Sequence, residues 1–192
     1  MSATSGPSQE IIDQFVGNAH GNLAMVKELY EKYPSMINAS ASWTESAIQA
    51  AAQTGQVEIV NFLLEHGAEY DICSAAMLGA LDCIEDFLKE DPNRVSARGA
   101  HGIPLLYFPV IHGHTRVAQY LLEQGADPNA ASPDGITPLH GAVMFNRPKM
   151  ASWLLDHGAN PNPIYDSKTP LAMAQEKKQA EMVEILRNYG GK

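Results

Sequence analysis

Apolar residues recur along this chain at helical spacing, in blocks that repeat. Six times a turn position is reached, filled by Gly21, Gly55, Gly79, Gly113, Asn146 and Lys178. Five residues after each stands a small or branched apolar residue: Val26, Val60, Ile84, Ala118, Ala151 and Val183. Eight residues after each stands a large one: Leu29, Leu63, Phe87, Leu121, Leu154 and Leu186. A separation of three puts both on one face of a helix. Four blocks close with a second glycine twelve positions on, at Gly67, Gly125, Gly158 and Gly190, where a left-handed residue lets the chain leave the helix. Successive turn positions lie 34, 24, 34, 33 and 32 residues apart. A period of this size predicts a stack of helical units, none able to bury its apolar face alone.

A second apolar stretch precedes each turn. Its clearest form is Thr137-Pro138-Leu139-His140 with Ala142, and it returns as Thr169-Pro170-Leu171-Ala172 with Ala174. Threonine suits a helix N-cap, and proline suits the first helical position, where an N–H would find no partner. Small residues such as Ala51, Ala52, Ala75 and Ala76 allow close approach of neighbouring helices. This pattern resembles the Thr-Pro-Leu-His-x-Ala signature of the ankyrin repeat, and the resemblance covers residues 10–190. In size, and in its Asp127-Pro128-Asn129 and Asn160-Pro161-Asn162 turns, the chain is similar to small stand-alone bacterial ankyrin-repeat proteins. The resemblance implies an all-α, ankyrin-repeat solenoid of about six helix-turn-helix repeats: twelve helices in six antiparallel pairs, joined by fingers. It also implies that His140 ties its helix to the neighbouring finger.

Three departures stand out. The third repeat is about ten residues short, because Gly67-Ala68 runs almost directly into Asp71, a candidate N-cap. That repeat lacks a finger, and Phe87 replaces leucine in it, a bulkier ring expected to fill altered space. In the fourth repeat Pro104 stands where the next has Thr137, and Pro109 replaces the first alanine. A proline inside a helix predicts a kink or a shortened helix. In the fifth, Asn146 replaces the turn glycine and Pro148 opens the outer helix.

With 192 residues the chain is long enough for one domain with a substantial core. Residues 1–9 are rich in Ser, Thr, Gly and Pro, without the apolar centre of a secretion signal, and are expected to be a disordered lead-in. A net charge of −9 argues against phosphate-backbone binding, so no nucleic-acid partner is expected. No apolar run approaches the length of a membrane span. Cys73 and Cys83 read as reduced thiols, which points to a cytoplasmic protein. The chain on its own is expected to be monomeric.

Seven histidines invite a metal or catalytic reading, but most have structural places. His140 belongs to the repeat signature, and His114 follows a turn glycine. His66 and His157 sit at helix C-termini, where a cation is favoured. His112 and His114 are separated by Gly113 at a helix break, with no third ligand at suitable spacing. Asp82, Glu85, Asp86, Glu90 and Asp91 read as a solvated face. No nucleophile elbow, phosphate loop, dinucleotide fingerprint or zinc-protease motif occurs, so no catalysis, cofactor or metal is expected. In ankyrin proteins the partner usually touches the finger tips and the last inner-helix residues, on the concave face. Those places here hold Trp43, Met77, Leu78, His101, Ile103, Ile111, His112, Asp134, Ile136, Met144, Phe145 and Tyr165. The missing finger is expected to expose Met77 and Leu78 beside Ile111 as an anchor pocket. The function that follows is a non-catalytic module that binds another protein. The alternatives are a small-molecule or metal-binding module around His101, His112 and Tyr107, or a structural subunit of an obligate complex.

Overall fold

The computed structural model describes residues 6–192, and Met1–Ser5 lie outside the described residues. Much of the expected lead-in therefore falls outside them, and the first helix already begins at Gln9. Among the described residues there are twelve α-helices and no strand, only isolated bridges at the fingers. By its internal contacts the chain divides into residues 1–74 and 75–192.

The first unit holds α1 (Gln9–Asn18), α2 (Leu23–Lys32), α3 (Ala47–Gln53) and α4 (Val57–Glu65). The outer helix of each pair packs on its inner helix, α1 packs on α3, and α2 on α4. The buried set includes Phe15, Val16, Val26, Ala50, Ala51, Val60 and Leu63. Ser46 caps α3 and Gln49 answers it, forming a reciprocal capping box. α5 (Ile72–Leu78) runs across the division. Asp71 fills the N-cap place ahead of α5, its carboxylate accepting from the Ser74 N–H at 2.7 Å.

The second unit holds α6 (Leu81–Glu90), α7 (Tyr107–His112), α8 (Thr115–Glu123), α9 (Pro138–Met144), α10 (Pro148–Asp156), α11 (Pro170–Glu176) and α12 (Ala180–Asn188). Inner helices α7, α9 and α11 pack in succession, α6 packs on α8, and α10 on α12. Thr137 and Thr169 cap α9 and α11 as expected, with proline at the first helical position. The turn before each outer helix is left-handed at Gly55, Gly79, Gly113, Asn146 and Lys178, but not at Gly21. At Gly79 glycine is needed twice over. Its φ is +74°, and a Cβ there would lie 2.7 Å from the His114 ring.

The expected disturbance at Pro109 takes the form of shortening. α7 starts at Tyr107, two residues later than α9 does by alignment, and Leu105-Leu106 form a turn instead. Pro109 is thereby the third residue of its helix, where an N–H has no intrahelical acceptor, and its missing donor costs nothing. Phe87 does not plug the core. It is half-buried, the Arg94 guanidinium lies 5.3 Å from its ring centroid, and Leu88 is the buried residue of that turn.

Candidate functional site

Each repeat presents the C-terminal end of its inner helix and, except in the third, the finger beside it. In the second unit a side chain just after the turn position reaches back to the preceding inner helix. The His114 Nε2 meets the Met77 carbonyl at 3.0 Å, Arg147 Nε donates to the Ile111 carbonyl at 2.7 Å, and Gln179 Nε2 donates to the Val143 carbonyl at 2.9 Å. These carbonyls lie at helix ends, where intrahelical donors run out, although that of Val143 also accepts from the Asn146 N–H at 3.2 Å. The bridges tie repeat to repeat. A second set uses asparagine. Asn129 donates to the Gly158 carbonyl and accepts from the Asn160 N–H, while Asn162 does the same with Gly190 and Lys192. Asn38 repeats the device in the first unit with Gly67 and Glu69.

The fingers of the second unit are linked similarly. Arg98 Nη1 donates to the Gly102 and Ala131 carbonyls at 2.8 and 2.7 Å. Ser132 holds Asp134 by a hydrogen bond. His140 is fully buried, and its Nδ1 accepts from the Thr137 N–H at 3.2 Å. That acceptance leaves the proton on Nε2, which is buried without a hydrogen-bond partner among the described residues. Burial pushes its pKa down to about 4, against the upward pull of the Lys168 and Pro163 backbone in the next finger. The hydrogen bonds of His140 thus close its own helix cap at Thr137, and the next finger meets it through the Tyr165 ring.

The residues named for partner contact separate into two groups. Met77 and Ile111 are fully buried, and Ile103 and Ile136 nearly so; Leu78 is half-buried. The expected anchor pocket is therefore not formed. Without a finger the chain closes down, because the His114 ring sits on Gly79 and its Nε2 on the Met77 carbonyl. His101 and Asp134 are exposed, while His112, Phe145 and Tyr165 are half-buried. Met144 is 36% exposed. The His112 ring stacks on His114 with centroids 5.8 Å apart, and Tyr165 stands edge-on to His140 at 5.7 Å. Tyr107, offered for the small-molecule alternative, is 2% exposed and belongs to the core. Trp43, in the first unit, is 43% exposed. Sequence reasoning missed Ile164, 57% exposed beside Tyr165. Its branched side chain on a finger without any required contact was the available signal.

His66 and His157 each place Nδ1 2.7 Å from the carbonyl four residues earlier, fastening the ends of α4 and α10. Among the described residues no group of three or more His, Cys, Asp or Glu side chains could hold a metal ion. Cys73 is buried, and burial with the nearby Asp71 charge raises its thiol pKa, so it stays protonated. No helix of the described residues is long and apolar enough to cross a membrane.

Stacked helix pairs with fingers, and a surface of exposed apolar and polar tips, define a helical repeat protein. The ankyrin repeats (3 copies) family model matches residues 72–165 and 110–192, and the ankyrin repeat model matches residues 45–75. The chain belongs to the ankyrin-repeat family. It is similar to NAD-capped RNA hydrolase NUDT12 of Macaca fascicularis, 35% identical over 82 residues, which are 42% of this chain and 18% of that protein. Ankyrin repeat and SOCS box protein 3 of Homo sapiens is 29% identical over 100 residues, 46% of this chain and 19% of that one. Putative E3 ubiquitin-protein ligase XBAT31 of Arabidopsis thaliana is 25% identical over 132 residues, 64% of this chain and 28% of that one. Each match spans less than a third of the relative's length.

Proposed function

We propose that this chain binds a partner protein through its finger tips and inner-helix ends, without catalysis of its own. Ankyrin repeats are interaction modules in general, and the observation that carries the reading here is the pair of exposed apolar positions Met144 and Ile164. Both stand where the repeat architecture makes no demand on the residue. Phe145 and Tyr165 flank them, and Asp134 and His101 supply polar tips. Large apolar side chains fixed on a rigid scaffold are what interface anchors require. Met77, Ile103, Ile111 and Ile136 are buried and are not part of this surface. A hydrolase name and a ubiquitin-ligase name occur among the relatives. They describe proteins more than three times as long as the matched segments.

Met144→Asp and Phe145→Asp test the reading. Each is expected to reduce capture of partner from an extract of the source cell at least about tenfold, the cost of losing one anchor side chain, while shifting the melting temperature little. Normal capture by both folded variants would overturn the reading.

A further inference from the structure

The charge of the chain is unevenly divided. Residues 1–74 carry nine acidic side chains against Lys27 and Lys32, a net −7, whereas residues 75–192 carry thirteen against eleven, a net −2. The exposed tryptophan stands in the acidic unit, at the tip of the finger between Ala41 and Glu45. That tip is rigid. The Thr44 N–H donates to the Ala41 carbonyl and the Ala41 N–H to the Glu45 carbonyl, both at 2.8 Å, and Thr44 is left-handed with φ 70°.

Two carboxylates bracket it. Asp13, on α1, accepts from the Ser42 N–H at 2.7 Å and from the Ser42 hydroxyl at 2.8 Å. Glu45, only 2% exposed, accepts from Trp43 Nε1 at 2.7 Å and from Gln53 Nε2 at 2.6 Å. His20 Nε2 lies 3.7 Å from the same carboxylate. The indole N–H is thus already used, and what the exposed part of the side chain offers is the π-face.

A tryptophan face attracts cations through its quadrupole, and fixed carboxylates beside it add to that attraction. A net −7 over one unit steers positive partners toward it. We propose that the Trp43 finger docks a basic segment of a partner protein, with an arginine or lysine side chain lying over the indole. This rests on the protein-binding reading above and names the partner's chemistry. The hydrogen bond to Glu45 holds the ring in place, so little rotamer freedom is lost when the cation arrives.

The test uses the full chain and two capped hexapeptides, one alternating arginine and alanine, the other glutamate and alanine. The arginine peptide is expected to bind by calorimetry, about tenfold more weakly when salt is raised from 50 to 300 mM, and the glutamate peptide not to bind. Trp43→Ala keeps every charge of the unit and is expected to lose at least about tenfold in affinity. Unchanged affinity in that variant would mean diffuse attraction only and would overturn the site. Should Trp43→Ala melt early, Trp43 emission in the Trp153→Phe background supplies the second readout. It is expected to shift on saturation with the arginine peptide, and no shift overturns the proposal. Failure here with Met144-dependent capture intact would sink this inference and leave the protein-binding reading standing.

Discussion

Helices α7 and α9 occupy equivalent places in successive repeats and pack directly on one another, yet they start in opposite ways. α9 opens with a polar device: Thr137 accepts from the His140 N–H while the His140 ring accepts from the Thr137 N–H. α7 opens with no side-chain cap at all. Its entrance is instead a run of buried side chains, Leu105, Leu106, Tyr107 and Phe108, each at most 2% exposed. The two meet where Gly141 of α9 faces the Tyr107 ring, so closely that a Cβ would lie 2.7 Å from it. The difference teaches that the repeat signature is one of two ways to begin an inner helix. Hydrogen bonds can organise the first turn, or apolar burial can hold it while the orphan N–H groups are left to a turn and a proline.

The largest effect should come from removing that burial. Tyr107→Ala is expected to destabilise by about 4 kcal/mol in urea unfolding, the range for emptying a large buried aromatic. In that background Gly141→Ala should lose most of the penalty of roughly 1–3 kcal/mol it carries alone, because the ring is gone and only Ile111 Cγ2, 3.2 Å from the added Cβ, stays close. Independent costs in the double variant would show that the two helices do not meet as described.

The polar start is broken through pH. In the unfolded chain His140 takes up a proton below about 6.5, whereas burial delays this to about 4 in the folded protein. The unfolded state therefore binds the extra proton between those values, and stability falls as pH drops through the window. The share from this one residue is roughly 3 kcal/mol. His140→Ala should cost about 1–2 kcal/mol at neutral pH and erase that share of the slope. An unchanged slope would place the titration elsewhere.

The smallest effect sharpens the contrast. Pro109→Ala in α7 is expected to cost about 1 kcal/mol, from the buried ring methylenes it removes and not from any hydrogen bond gained. A gain of 2 kcal/mol or more would mean that the proline does distort its helix.

The periodic positions and the punctuation between them were legible in the residues alone. Val26, Val60, Ile84, Ala118 and Ala151 are all fully buried, because a period of helical turns dictates which face meets its neighbour. Thr137, Thr169 and Asp71 sit in the N-cap places, because capping is a contact between residues three apart. Val183, at the same register in α12, is only half-buried. What tertiary structure decided was long-range. The reach of Arg147 to the Ile111 carbonyl and of His114 to the Met77 carbonyl joins residues more than thirty positions apart. No local pattern encodes such a partner. The same reach closed the finger-less repeat and buried Met77 and Ile111, which looked like surface when read only by their place before a turn. Exposure at a repeat's edge depends on what the neighbouring repeat lays over it. For that reason Ile164 emerges as available surface only once the helices are stacked, while Trp43 and Met144, named from the sequence, stay exposed.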